Sequence, residues 1–153
     1  MRIEKVIEEN LEEALMFLIQ EELKLILELN PEYSSEYESI KKFYINETYD
    51  FYQKRKGTLY TARVQEKIIG IGYMTEDGYL ASLFVKEEYR NLGIGSKILK
   101  TMLEESSQKT MIRVDARRKA MTLYKRFHFQ EDVVGLSKKE FVPMELDRRV
   151  YGK

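Results

Sequence analysis

The chain has 153 residues, enough for a single domain with a sizeable core, and its 43% apolar and 34% charged content suits a soluble globular protein. Its 26 Lys and Arg balance its 26 Asp and Glu, so bulk attraction to nucleic acid or to an anionic membrane is not expected. With no cysteine and one histidine, disulfides, zinc-thiolate centres and a cysteine nucleophile are excluded, and no metal site is expected.

The N-terminal stretch lacks the uninterrupted apolar core of a signal peptide, and no apolar run approaches the ~20 residues of a membrane span. One domain over residues 1–153 and a cytoplasmic location are therefore expected. The charge is unevenly spread. Residues 1–40 hold eleven Glu against three Lys or Arg, whereas residues 109–126 carry seven basic residues and the single acid Asp115. The two ends are suited to different ligands.

Residues 2–7 read as a short strand. Asn10 is a plausible N-cap, and Leu11, Leu15, Leu18, Ile19, Leu23, Ile26 and Leu29 recur as a helical stripe that Asn30-Pro31 ends. A second helix over 35–54 carries Tyr37, Ile40, Tyr44, Thr48 and Phe51 at helical spacing. Its tyrosines are amphipathic packing residues or, alternatively, Tyr33, Tyr37 and Tyr44 line a substrate pocket beside Glu32, Glu36 and Glu47.

Residues 58–64 and 68–74 read as a hairpin across Gln65-Glu66-Lys67. Gly70 and Gly72 leave room for the close approach of another backbone or a ligand. After the turn Glu76-Asp77-Gly78, residues 79–85 are apolar on both sides and suit a central strand. A helix over 96–105, a short strand over 110–114, a helix over 119–127 and strands over 129–134 and 140–146 complete the order. Residues 135–138 form a loop, Pro143 suggests an edge position for the last strand, and residues 147–153 read as a frayed polar tail. A central mixed sheet covered by helices satisfies the buried faces.

One stretch organises the chain. Arg90-Asn91-Leu92-Gly93-Ile94-Gly95-Ser96 joins the central strand to a helix start. Glycines let the backbone turn tightly, and the first amides of a helix have no internal partner and sit at its positive end. A phosphate is a natural occupant.

This order, with the Gly turn between the fourth strand and the third helix, resembles the GCN5-related N-acetyltransferase (GNAT) family. Two segments carry the resemblance. Arg90, Gly93 and Gly95 match the family's Arg/Gln-x-x-Gly-x-Gly/Ala pattern behind the apolar strand. Ala120-Met121-Thr122-Leu123-Tyr124-Lys125-Arg126-Phe127-His128-Phe129 is similar to its Ala-x-x-Leu-Tyr-x-x-x-Gly-Phe signature. The resemblance implies an α/β (α+β) fold: a mixed sheet of about seven strands flanked by four helices, ordered β-α-α-β-β-β-α-β-α-β-β.

It also implies an acetyl-coenzyme A-dependent N-acetyltransferase acting on a primary amine of a small molecule or peptide, with a homodimer common in such proteins. Asn91, Leu92, Gly93, Ile94, Gly95 and Ser96 would cradle the pyrophosphate beside Arg90. Leu83, Phe84 and Val85 would meet the pantetheine arm, and Arg117 the nucleotide end. Tyr124 would protonate the leaving thiolate as general acid, since a phenol is neutral at pH 7. The base is open; Glu76 and Asp115 are the nearest carboxylates in sequence. Two departures stand out: Arg117 replaces the family's usual Asn, and His128 its usual Gly. A non-catalytic acyl-coenzyme A or peptide-binding module on the same fold is the alternative.

Overall fold

The computed structural model describes residues 1–132 and 140–150. It contains four α-helices and one seven-stranded sheet. In chain order these are β1 (Arg2–Lys5), α1 (Leu11–Leu29), α2 (Tyr37–Arg55), β2 (Gly57–Val64), β3 (Lys67–Thr75), β4 (Tyr79–Val85), α3 (Ile94–Glu105), β5 (Met111–Arg117), α4 (Met121–Arg126), β6 (Gln130–Glu131) and β7 (Phe141–Asp147). The order is the expected one. Across the sheet the strands run β1-β2-β3-β4-β5-β7-β6.

Two apolar clusters lie on opposite faces. Ala14, Leu15 and Leu18 of α1 pack with Leu59, Ile71 and Tyr73 on one face. Ile98, Leu99 and Met102 of α3 pack with Ile69, Leu80, Ile112 and Val114 on the other. The alternation of strand side chains feeds both. Asn10 holds the cap position of α1, but its side chain makes no capping bond. Glu12 and Glu13 supply acids to the first turn, and Arg63, buried under β1, is held by Glu13 at 2.7 Å and the Glu66 carbonyl at 2.7 Å.

The β2–β3 hairpin turns at Gln65 and Glu66, both at positive φ (51° and 68°), the backbone of a two-residue primed turn. The close approach at Gly70 and Gly72 is made by α3. A Cβ would stand 2.9 Å from Ile98 Cδ1 at Gly70 and 2.7 Å from the Met102 side chain at Gly72.

The middle of the sheet is irregular. On β4, Ser82 pairs with Tyr73 and Leu80 with Met74, so Ala81 is an extra residue. This bulge turns Ala81 and Ser82 toward the same face and sharpens the local twist. β5 pairs in parallel with β4 at Tyr79↔Arg113 and Leu80↔Val114. Beyond the bulge the two strands part.

The C-terminal part differs from the sequence reading in two ways. β7 is an interior strand, paired with β5 along its whole length and with β6 on its other side. Pro143 is tolerated because its carbonyl accepts from the Asp132 N–H (2.9 Å) on the β6 side. A residue's N and O share one side of a strand, so the missing donor falls outside the β5 ladder. Nor is residue 148 part of a frayed tail. Arg148 is buried, and its guanidinium donates to the Leu103 and Ser106 carbonyls that close α3. Strand β6 covers residues 130–131 of the expected 129–134; residues 133–138, including the expected loop, lie outside the described residues.

Candidate active site

The opening between β4 and β5 is walled by α1, the glycine turn and the start of α4. It forms a cleft of about 500 Å³ lined by Leu83, Phe84, Val85, Arg90, Asn91, Gly93, Ile94, Gly95, Ser96 and Arg117, among others. Every residue assigned to the donor from sequence, except Leu92, lines this one cleft. Leu92 stands out at the turn, 64% exposed.

Its chemistry is that of an anion site beside an open strand edge. Asn91 and Gly93 both adopt left-handed backbone (φ 64° and 81°), which an Asn and a Gly tolerate best. Among the described residues, no turn or cap hydrogen bond is donated by the backbone amides of residues 91–96; they resume with Lys97 N–H to the Gly93 carbonyl at 3.2 Å. These amides stand at the positive end of a twelve-residue helix, an arrangement suited to an anion. The Arg117 Nε is buried without a hydrogen-bond partner among the described residues. The Arg90 Nε donates to the Val85 carbonyl at 3.0 Å and so closes the turn against the strand.

Lys86 N–H donates to the Ile69 carbonyl. By alternation Phe84 also faces β3, so Leu83 and Val85 present their amides and carbonyls to the side that β5 has left. The cleft therefore offers an edge to a polar arm and amides to a phosphate, which fits the chemistry of coenzyme A.

A second cavity of about 250 Å³ lies on the α1–α2 face, lined by Leu18, Glu22, Tyr44, Glu47, Thr48, Phe51, Tyr73, Tyr79, Ala81 and Ser82. Consecutive residues of β4 line the two spaces, Ser82 the one and Leu83 the other. The Ser82 hydroxyl donates to Glu22 Oε1 at 3.5 Å. Burial pushes the Glu22 carboxyl up to about 7, against the lowering effect of Ser82. The Tyr73 hydroxyl, on a side chain 2% exposed, has no hydrogen-bond partner among the described residues.

The remaining sequence candidates separate. Tyr44 lines this second cavity, whereas Tyr33 and Tyr37 are 42% and 37% exposed and do not. Glu76 lines a small hollow with Met102, Glu105 and Ser106 at the C-terminal end of α3, away from the glycine turn. Asp115 accepts from the Tyr79 hydroxyl at 3.1 Å. Tyr124 lies beneath the cleft wall rather than on it: it is 5% exposed and meets Phe129 ring to ring at 5.4 Å. Burial and the neighbouring Tyr79 raise its pKa far above the usual phenol value. His128 is exposed and ends α4 in left-handed backbone (φ 72°), the conformation that the Gly it replaces would adopt.

Glu22 escaped the sequence reading, although it carried a signal. It falls on the stripe of Leu15 and Leu18, at spacing i+7 and i+4, where an acid interrupts an apolar face.

The split sheet and the glycine turn define an α/β fold with the larger cleft at the turn and the smaller cavity on the α1–α2 face. The chain belongs to the family of the acetyltransferase (GNAT) domain, whose model matches residues 29–148. No curated protein sequence matches it significantly. Among solved structures it is similar to PH1933 from Pyrococcus horikoshii OT3, at 23% identity and a TM-score of 0.70, over 95% of this chain and 97% of that one. It is likewise similar to the PaiA N-acetyltransferase of Thermoplasma acidophilum, solved in complex with coenzyme A, at 18% identity and a TM-score of 0.67, over 95% and 98% of the two chains. A GNAT family acetyltransferase from Elizabethkingia anophelis, with acetyl-CoA bound, matches at 17% identity and a TM-score of 0.55, over 66% of this chain and 82% of that one.

Among the described residues no group of His, Asp and Glu is placed to hold a metal, and no helix is long and apolar enough to cross a membrane.

Proposed function

We propose that the protein transfers an acetyl group from acetyl-coenzyme A to a primary amine of a small molecule or peptide. One observation carries the reading: five residues with partnerless amides (Asn91 and Gly93 to Ser96), the orphaned Arg117 Nε, and Leu83 and Val85 on the strand edge that β5 has left line the same cleft, the Val85 carbonyl already accepting from Arg90. Acetyl-coenzyme A supplies an activated acetyl group. The amides of residues 91–96 hold the phosphates, with the α3 dipole adding to them. Arg117 adds a cation where the family has an amide side chain. Leu83 and Val85 bond the pantetheine arm as a neighbouring strand would. Tyr124 remains a neutral phenol across the working pH range; the family resemblance, and not its buried position beneath the cleft wall, supports it as the donor of a proton to the departing sulfur.

Free-thiol release from acetyl-coenzyme A, followed against a panel of amines, tests the reading. Amine-dependent release at or above ~1 s⁻¹ is expected of an enzyme at its own acceptor. Tight coenzyme A binding with no release on any amine would instead make the protein a binding module.

A further inference from the structure

The cavity on the α1–α2 face has an acidic wall and no cation of its own. Among the described residues lining it there is no Lys, Arg or His. The groups facing Glu22 are Ser82 and Tyr79 from β4, Tyr73 from β3, and Tyr44 and Glu47 from α2. On its own helix, the neighbouring Glu21 is already paired with Lys24 at 3.0 Å. Arg55 lies nearby over the Phe51 and Tyr79 rings but is bound to Asp77 at 2.9 Å. Glu22 thus stands in a half-buried cavity with one weak hydrogen bond and no counter-ion. Tyr73 lines the same cavity, and its hydroxyl is buried and unpartnered among the described residues. A carboxylate with no counter-ion in a largely dry cavity is costly, so Glu22 calls for a cationic ligand.

Resting on the acetyltransferase reading, we propose that Glu22 takes the proton from the incoming amine, and that its cavity admits the end of a slender alkylammonium. Position supports the role. Ser82, which touches Glu22, precedes Leu83 at the donor cleft, so the carboxylate lies beside the point where amine and acyl group would meet. Size supports the class. About 250 Å³ is below the ~300–1,000 Å³ of drug-sized sites, and Tyr44, Phe51 and Tyr73 give aromatic walls that suit a cationic chain. Glu47 lies at the same cavity, where a second ammonium would find it.

The step balances. Glu22 carboxylate accepts one N–H proton, and the freed nitrogen lone pair forms the N–C bond. The C–S bond breaks with its electrons going to sulfur, which takes the Tyr124 proton. The nitrogen's second proton restores Tyr124, and Glu22 releases its own to solvent. A carboxyl at about 7 is matched to this duty near neutral pH.

The test compares wild type with Glu22→Gln and Glu22→Asp, using 1,4-diaminobutane, N-α-acetyl-lysine methylamide and a branched aminocyclitol glycoside. Wild type is expected to release thiol with the first two and to lose kcat/KM below about pH 7. Glu22→Gln should bind coenzyme A normally yet lose about 100-fold in kcat. Its rate should climb about tenfold per pH unit toward the amine's own pKa near ~10. Glu22→Asp should keep the acid limb at a reduced kcat. It also serves if the Gln variant fails to bind coenzyme A, since an undiminished kcat there would overturn the proposal. A Glu22→Gln enzyme with the wild-type acid limb and kcat within about threefold would overturn it while leaving the acetyltransferase reading intact. A wild type that turns over no amine would overturn that reading, and this one with it.

Discussion

The Tyr79 hydroxyl donates to Asp115 Oδ2 across 3.1 Å, linking β4 to β5 at the level where the two strands begin to part. Burial and the Asp115 charge push the Tyr79 phenol up to about 12. Asp115 is committed to this contact, and it lines neither the donor cleft nor the Glu22 cavity. Asp115→Asn is expected to leave the acid limb of kcat/KM in place and to cost less than ~1 kcal/mol in urea unfolding, because Asp115 is exposed. Loss of the acid limb in this variant would assign the base to Asp115.

Gly93 combines φ of 81° with open space at its missing Cβ. Gly93→Ala is therefore expected to cost ~1–2 kcal/mol of stability from backbone strain alone, with coenzyme A binding kept. Gly93→Glu places a carboxylate among the amides and should abolish binding in isothermal titration. Equal affinity in a folded Glu variant would remove the cradle from the donor site.

Tyr124→Phe keeps the ring contact with Phe129 and deletes the hydroxyl. The expected result is a fall in kcat of about 10²-fold or more with coenzyme A affinity unchanged. Because burial raises the phenol's pKa, no alkaline limb from Tyr124 should be seen in the wild type below ~pH 10. An unaltered kcat would reduce Tyr124 to a packing residue.

Glu22 also shapes stability. Its folded carboxyl sits near 7 against 4.5 for the ordinary group. Between these values the folded state holds a proton that the unfolded state has lost, so this group's contribution falls as pH rises through the window and is lowest above it. Glu22→Gln removes that dependence. The variant and wild type should unfold alike near pH 4, and the variant should be more stable by roughly 2 kcal/mol above pH 8. Identical denaturant curves at both pH values would show that Glu22 is well solvated.

Arg148 closes α3 through the Leu103 and Ser106 carbonyls and a 3.3 Å contact to the Lys109 carbonyl. Arg148→Met should cost roughly 2–4 kcal/mol in urea unfolding, because buried acceptors lose a charged donor. Coenzyme A binding by the folded fraction should persist, since the cradle lies at the other end of the helix.

The element order was readable because each segment carries a strong local signal. The α1 stripe, the Gln65-Glu66 turn and the Gly93 turn are set by nearest neighbours. The β5 pattern was harder. Read to Val114 it lacks alternation; continued to Arg117, Ile112, Val114 and Ala116 alternate inward. The placement of β7 between β5 and β6 was not readable, because Pro143 argues locally for an edge and only the β6 pairing shows where its missing donor falls. The donor residues were legible through contiguous motifs. The Glu22 cavity was not, since it joins α1, α2, β3 and β4 across sixty residues of sequence separation between Glu22 and Ser82. Tyr37 and Tyr44, both on α2, have unequal fates for the same reason.

The interior position of β7 has a further consequence for the order of assembly. During synthesis the N-terminal meander β2–β3–β4 can pair as it emerges, each strand beside its predecessor. Strand β5 cannot acquire its antiparallel neighbour, nor α3 its Arg148 clasp, until residue 148 has been made. The acidic N-terminal half of the molecule can thus form early, while α3, which follows the glycine turn, stays loosely anchored until translation has passed that point.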